Sequence, residues 1–553
     1  MRRAAGGLPR LLARAFTTSS GAARDASVQQ AGGPFPAWLG EGASTRVSTP
    51  LTKPLPGAAQ RNGYAVPLQA PPTEITTLPN GVRIVSEAST GPISSLGIYV
   101  NSGSIYETPE TSGASALLEC LAFKSTQHRD SLRLMKEVEL IGANILANAS
   151  REQMSYTIDC LGVHMPQALE ILADSVLNPS FDPRDVEDQK ARLAGVLASP
   201  DVQITLMTEL LVRGAYRGGL SKPLIPDPAA LDHLTPASLA GFLRSNYLAP
   251  RVVLAGAGVD HRRLVELAGP MLGELPAAAE GGGGGSGSGS GSGGGEPASQ
   301  YVGCNTVLPG SAPHANLILA FEYGGGWHDI QGSVVMTVLT YLMGGGNSFS
   351  SGGPGKGMHS RLYTRVLNQY HWVHSCSALS HTFNSTGLFG IQAASEPAYA
   401  RQMLDVCCRE LESLAAPPPA EQLERAKRMS VSLIHNALES KSASAEDIGR
   451  QFLTYGHRIS GPEYVAMIES VTPKMVAEFV RRLLASKPSL AAFGDGADAL
   501  NYDQLLARYG PGGAGAGAGG GAPAGGGGGG SVFSRLFGPG GGGAAPAAAK
   551  GAR

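Results

Sequence analysis

Neither a disulfide framework nor a zinc ribbon can be built from the cysteines of this sequence. Only six occur in 553 residues, Cys120, Cys160, Cys304, Cys376, Cys407 and Cys408, with no CxxC pair and no regular spacing. Free buried thiols in a reducing compartment fit that pattern. Long apolar runs are missing as well. The longest, residues 252–259, is broken by glycines and falls far short of the roughly 18 residues that cross a bilayer. Any membrane association must then come through other subunits. Acidic residues are absent from the first 24 positions, which carry Arg2, Arg3, Arg10, Arg14 and Arg24 beside Leu8, Leu11, Leu12 and Phe16 at helical spacing. That composition reads as a mitochondrial or plastid transit peptide. Without those five arginines the formal charge moves from −1 to −6, which argues against general nucleic-acid binding and suits a basic ligand.

Glycine and proline are abundant, 76 and 38, but they cluster in a few stretches, leaving a globular part of about 420 residues. The pattern divides the chain into a leader at 1–40, an extension at 41–72, a first domain at 73–275, a Gly/Ser linker at 276–300, a second domain at 301–506 and a Gly/Ala/Pro tail at 507–553. Residues 73–78 alternate, Asn80-Gly81 offers a type I′ turn, and 82–86 alternate again, which predicts a hairpin. A strand at 96–100, Gly103 and a helix opening at Gly113 follow. The same order returns with an offset of 221 residues as a strand at 317–321, Gly324 and a helix opening at Gly332. Further strands at 156–160 and 387–393, each followed by a helix, extend the parallel. The fold class is therefore α+β, with two duplicated domains of about 200 residues each.

The most informative segment is the glycine-rich loop at 344–357, where seven of fourteen residues are glycine. It is not a Walker loop, because Ser350 and Gly357 stand where glycine and Ser/Thr are required. A dinucleotide fingerprint fails at Phe349 and lacks a preceding strand. A mobile loop of this kind can close over an extended peptide at small steric cost. Its candidate binding residues are Gly344, Gly345, Gly346, Asn347, Ser348, Phe349, Gly352, Gly353, Gly355, Lys356, Gly357 and Met358.

This loop and the run after it to Asn368, together with the segment from Ala445 to Gln451 (AEDIGRQ) and Leu78-Pro-Asn-Gly-Val82, resemble the pitrilysin-type metallopeptidase family. Within it they resemble the alpha subunits of mitochondrial processing peptidases, over about residues 73–505. The family's catalytic members carry HxxEH on the first long helix, with a further glutamate downstream; two histidines and that glutamate hold zinc while the motif glutamate activates water. Here the motif positions read Ala116, Glu119 and Cys120, and the downstream stretch reads Ala194-Gly195-Val196 without a carboxylate. The resemblance implies a chain with no catalytic residue, no metal and no cofactor of its own, paired with a zinc-bearing beta subunit in the matrix or on the matrix side of the inner membrane. It implies capture of basic presequence peptides, for which Glu446 and Asp447 are the candidate acids, and no nucleic-acid partner. The same resemblance allows a structural core subunit of the cytochrome bc1 complex, which would add other subunits of that complex as partners.

Overall fold

The strand Ile93–Val100 is buried at seven of its eight positions, which requires cover on both faces of the sheet it joins. Its alternation sorts the two covers: Leu96, Ile98 and Val100 enter one hydrophobic core, whereas Tyr99 enters another. In this computed structural model the described residues are 72–89, 91–197, 199, 202–278, 296–308, 310–348 and 357–509. The expected leader, nearly all of the extension, the Gly/Ser run at 281–295 and nearly all of the tail lie outside them.

The first sheet contains β1 (Thr73–Thr77), β2 (Arg83–Glu87), β3 (Ile93–Val100), β4 (Asn144–Ala149), β5 (Met154–Leu161) and β7 (Val252–Ala257), in the order β1-β2-β7-β3-β5-β4. A short ribbon pairs β6 (Tyr216–Gly218) with β8 (Ser299–Tyr301). The second sheet contains β9 (Asn305–Leu308), β10 (Ala315–Gly324), β11 (Gly345–Asn347), β12 (Val373–Thr382), β13 (Thr386–Ser395) and β14 (Ser489–Phe493). From the matching edge its order is β9-β14-β10-β13-β12-β11. Five positions coincide: β2 with β9, β7 with β14, β3 with β10, β5 with β13 and β4 with β12. The strand senses coincide too, since β2–β7 and β9–β14 are parallel while the other shared pairs are antiparallel. The duplication expected from the 221-residue offset is thus a repeat of topology. Only the sixth strand differs, β1 at one edge of the first sheet and β11 at the opposite edge of the second.

The β1–β2 hairpin forms as expected, but its turn does not. Asn80 has no positive φ, and the left-handed residue is Gly81 (φ 101). Pro79 fixes the first central position of a turn closed by Gly81 N–H donating to the Leu78 carbonyl at 2.9 Å, so a type I′ geometry is ruled out.

Helices α1 (Ala114–Leu121), α2 (Met165–Leu177) and α3 (Pro183–Leu197) belong to the first half, as does α4 (Gln203–Ala215) by sequence. In the second half α5 (Ile330–Met343), α6 (Ala400–Glu412), α7 (Ala420–Leu438) and α8 (Lys441–Tyr455) follow the corresponding order. The halves are not independent, because each covers the other's sheet with one helix. From α4, Met207 and Leu211 pack on Ile318 and Ala320 of β10 and Ala491 of β14. From α8, Ile448 and Phe452 pack on Val85, Tyr99 and Val253 of the first sheet. Burying a side chain of that size contributes about 1.5–3 kcal/mol, which makes the exchange a major term in holding the halves together.

Candidate functional site

Helix α1 carries the positions of the family's metal motif. Its N-terminus is held by the buried Glu107, whose carboxylate accepts from the Gly113 and Ser115 amides at 2.8 Å each; burial pushes this carboxyl up, and the two amides pull it back. Leu117, Leu118 and Leu121 enter the core. Ala116, Glu119 and Cys120 therefore share the partly exposed face, at the i, i+3, i+4 spacing that would present metal ligands. Glu119 accepts from the Ala149 backbone amide at 3.1 Å, which ties it to β4. Burial pushes the Cys120 thiol above its usual range, with Arg192 pulling the other way. A β-carbon added at Gly195 on α3 would meet nothing within 4 Å, open space where a third ligand is lacking. Among the described residues no three His, Cys, Asp or Glu side chains converge as a metal site.

The glycine-rich segment begins as structure rather than as a loop, which corrects the expectation that all of it is mobile. Gly344 caps α5 with φ 57, and a β-carbon there would lie 2.3 Å from Ser360 Cβ. Gly345 has φ 106, and its β-carbon would lie 2.1 Å from the Cys376 carbonyl oxygen. Gly345, Gly346 and Asn347 form β11 on β12, and the Ser348 amide continues the edge by donating to the His374 carbonyl at 2.8 Å. Gly344 and Gly345 are required for close approach and left-handed backbone, whereas a β-carbon at Gly346 would meet nothing within 4 Å. Phe349, Gly352, Gly353, Gly355 and Lys356 lie outside the described residues. Gly357 (φ 75) and Met358 return beside α7.

Glu446 and Asp447 stand elsewhere, on α8 against the first sheet. Asp447 is 3% exposed; its Oδ2 accepts from Arg458 Nη1 and from Gln451 Nε2 at 3.1 Å, and Arg458 Nε reaches Glu87 on β2 at 2.9 Å. Glu446 accepts from Arg450 Nε at 2.7 Å. The reading of Asp447 as a substrate acid is corrected by this burial: its carboxylate is sealed in an ion network that joins the two halves. The rest of the AEDIGRQ motif has the same logic. Ala445 and Ile448 are fully buried, Gln451 accepts from the Ile459 amide at 2.7 Å, and Gly449 lies flat against Tyr99. Of the other acids after the loop, Glu421 pairs with Arg425 on the exposed face of α7 and Glu424 with the buried Lys427.

Sequence reasoning passed over the cavity nearest the glycine-rich segment. It measures about 940 Å³ and lies between the end of α5, residues 357–361 and α7. Leu342, Met358, Met429 and Leu433 supply apolar surface, and Arg361, Arg425 and Arg428 supply charge. The only signal in the sequence is the pair Arg361 and Arg365 set among apolar residues directly after the loop, on a segment that ends in a π-helical turn, Tyr363–Leu367.

Residues 83–227 match the family model described as Insulinase (Peptidase family M16), and residues 233–430 match the one described as Peptidase M16 inactive domain. The chain belongs to peptidase family M16. This M16 chain is 40% identical over 506 residues to the mitochondrial-processing peptidase subunit alpha of Solanum tuberosum, across 90% of this chain and 96% of that protein. It is 38% identical to the probable mitochondrial-processing peptidase subunit alpha-1 of Arabidopsis thaliana, across 92% of this chain and all of that protein. With the mitochondrial-processing peptidase subunit alpha of Bos taurus it shares 32% identity, across 83% and 89% of the two chains.

Proposed function

We propose that this M16 chain is the non-catalytic, presequence-capturing alpha-type subunit of a mitochondrial processing peptidase, and that a zinc-bearing beta-type subunit cuts what it holds. The arginine-rich first 24 residues and the names of its relatives support a mitochondrial address on the matrix side. One observation carries the division of labour: the face of α1 offers Ala116, Glu119 and Cys120, with Glu119 engaged by a backbone amide. Hydrolysis by this family needs a metal-bound water, and these side chains cannot position one.

The purified chain is expected to hold no stoichiometric zinc and to leave presequence peptides intact, whereas addition of the beta-type partner starts cleavage. Metal analysis returning one tightly held zinc per isolated chain would overturn the reading.

Capture is assigned to the glycine-rich segment at 344–357. Excising residues 349–356 while keeping β11 should leave the melting temperature and partner binding unchanged, since the anchored glycines stay in place. Processing of a presequence-bearing precursor should fall on the order of tenfold or more in kcat/KM, the scale set by losing an oriented substrate. Unchanged kinetics would make the segment a passive insertion.

A further inference from the structure

One side chain ties the two stems of the glycine-rich segment to each other. The Gly345 amide donates to Ser360 Oγ at 3.1 Å, and Ser360 is 9% exposed. The fit is mutual: a β-carbon at Gly344 would lie 2.5 Å from that Oγ, so glycine on one stem makes room for serine on the other. Each stem is also fixed to the rest of the fold. On the outgoing side β11 pairs with β12, and the Ala378 amide donates to the Gly344 carbonyl at 2.9 Å. On the returning side the Ser360 amide donates to the Gly357 carbonyl at 2.9 Å, and Thr364 Oγ1 donates to the Ser360 carbonyl at 3.0 Å. Arg425 Nη1, from α7, holds the same stem by donating to the His359 carbonyl at 3.0 Å.

The sheet itself does not need this arrangement. In the first half residues 122–130 carry the chain from α1 to the next helix, Ser131–Leu140, and form no strand. The second half uses residues 344–360 for the corresponding step and adds β11. A strand that the duplicate half lacks is not a requirement of the shared topology, and this one leads into the segment to which capture is assigned. We propose that Ser360 is a positioning residue for presequence capture: by joining Gly345 to the returning stem, its hydroxyl sets the spacing and direction of the two stems. The proposal rests on the capture reading, and Ser360 acts through the segment rather than on the peptide. Without the tie the stems are correctly spaced for only a fraction of the time, and the apparent affinity for substrate falls by that fraction. Cleavage belongs to the beta-type partner, so the turnover of substrate already bound is unaffected.

Steady-state processing of a presequence-bearing precursor by the heterodimer with the beta-type partner tests this. Ser360→Ala removes the acceptor of the Gly345 amide and should raise KM about three- to tenfold, the size of one hydrogen bond, while kcat stays within about twofold. The same substitution in a chain from which residues 349–356 have been excised should raise KM no further, because the stems then have nothing left to orient. An unchanged KM for Ser360→Ala, in an assay where the excision lowers kcat/KM, overturns this inference and leaves the capture reading standing. A loss confined to kcat, or one that persists at full size in the excised chain, assigns Ser360 a general structural role and overturns the inference as well. Kinetics that the excision leaves unchanged overturn the capture reading itself, and this inference with it.

Discussion

Asp447→Asn is expected to lower the stability of the folded chain by about 3 kcal/mol, because it leaves Arg458 buried with one partner fewer. Arg458 exposes 9% of its side chain and sits between Asp447 on α8 and Glu87 on β2, so its charge is neutralised by one acid from each half of the molecule. Taking away the Asp447 and Arg458 charges together, as in Asp447→Leu with Arg458→Met, should return only part of the loss, because the buried Glu87 then loses its ion partner. Denaturant titrations of the two singles and the double close a cycle whose coupling should exceed about 1 kcal/mol. The rival account makes Asp447 a contact for presequence arginines. It requires a variant of unchanged stability that binds arginine-bearing peptides less well and arginine-free peptides as before; that outcome would reject the structural role.

Gly449→Leu should be about as damaging, at about 3 kcal/mol, at the upper end of overpacking costs. Tyr99 lies between two glycines. A β-carbon at Gly97 would come within 2.5 Å of its ring, and one at Gly449 within 2.1 Å, so α8 approaches β3 only where both side chains are missing. Tyr99 is 1% exposed and its hydroxyl has no hydrogen-bond partner among the described residues. Tyr99→Phe should therefore be neutral or slightly stabilising, because it removes an unsatisfied buried hydroxyl and keeps the ring. Tyr99→Leu should soften the penalty of Gly449→Ala by making room for the methyl group. Thermal melts of the four variants decide the matter. A Gly449→Leu protein melting with the parent would mean that α8 does not dock through this contact.

The hairpin at 73–87, the helix behind Gly113 and the repeat of strand, glycine and helix were all legible as local pattern, because an alternation or a helical stripe is written in neighbouring residues. The shared face of Ala116, Glu119 and Cys120 was legible too, since they stand at i, i+3 and i+4 on one helix. The buried role of Asp447 was not legible, for the opposite reason. AEDIGRQ looks like a charged surface motif when taken alone, yet the partners that explain it are Glu87, 371 residues from Arg458, and Tyr99 on β3. Likewise the glycine run from Gly344 to Gly346 signalled mobility, while the need for glycine at Gly344 and Gly345 comes from Ser360 and the Cys376 carbonyl.

By itself the sequence determined the main local elements and their duplication, which depend on side chains within a few residues of one another. Tertiary structure alone decided where α4 and α8 go. An amphipathic helix specifies that one face will be buried but not which of two similar sheets will bury it. Here the choice falls on the sheet of the other half, where Gly449 fits the ring of Tyr99 and Asp447 finds Arg458.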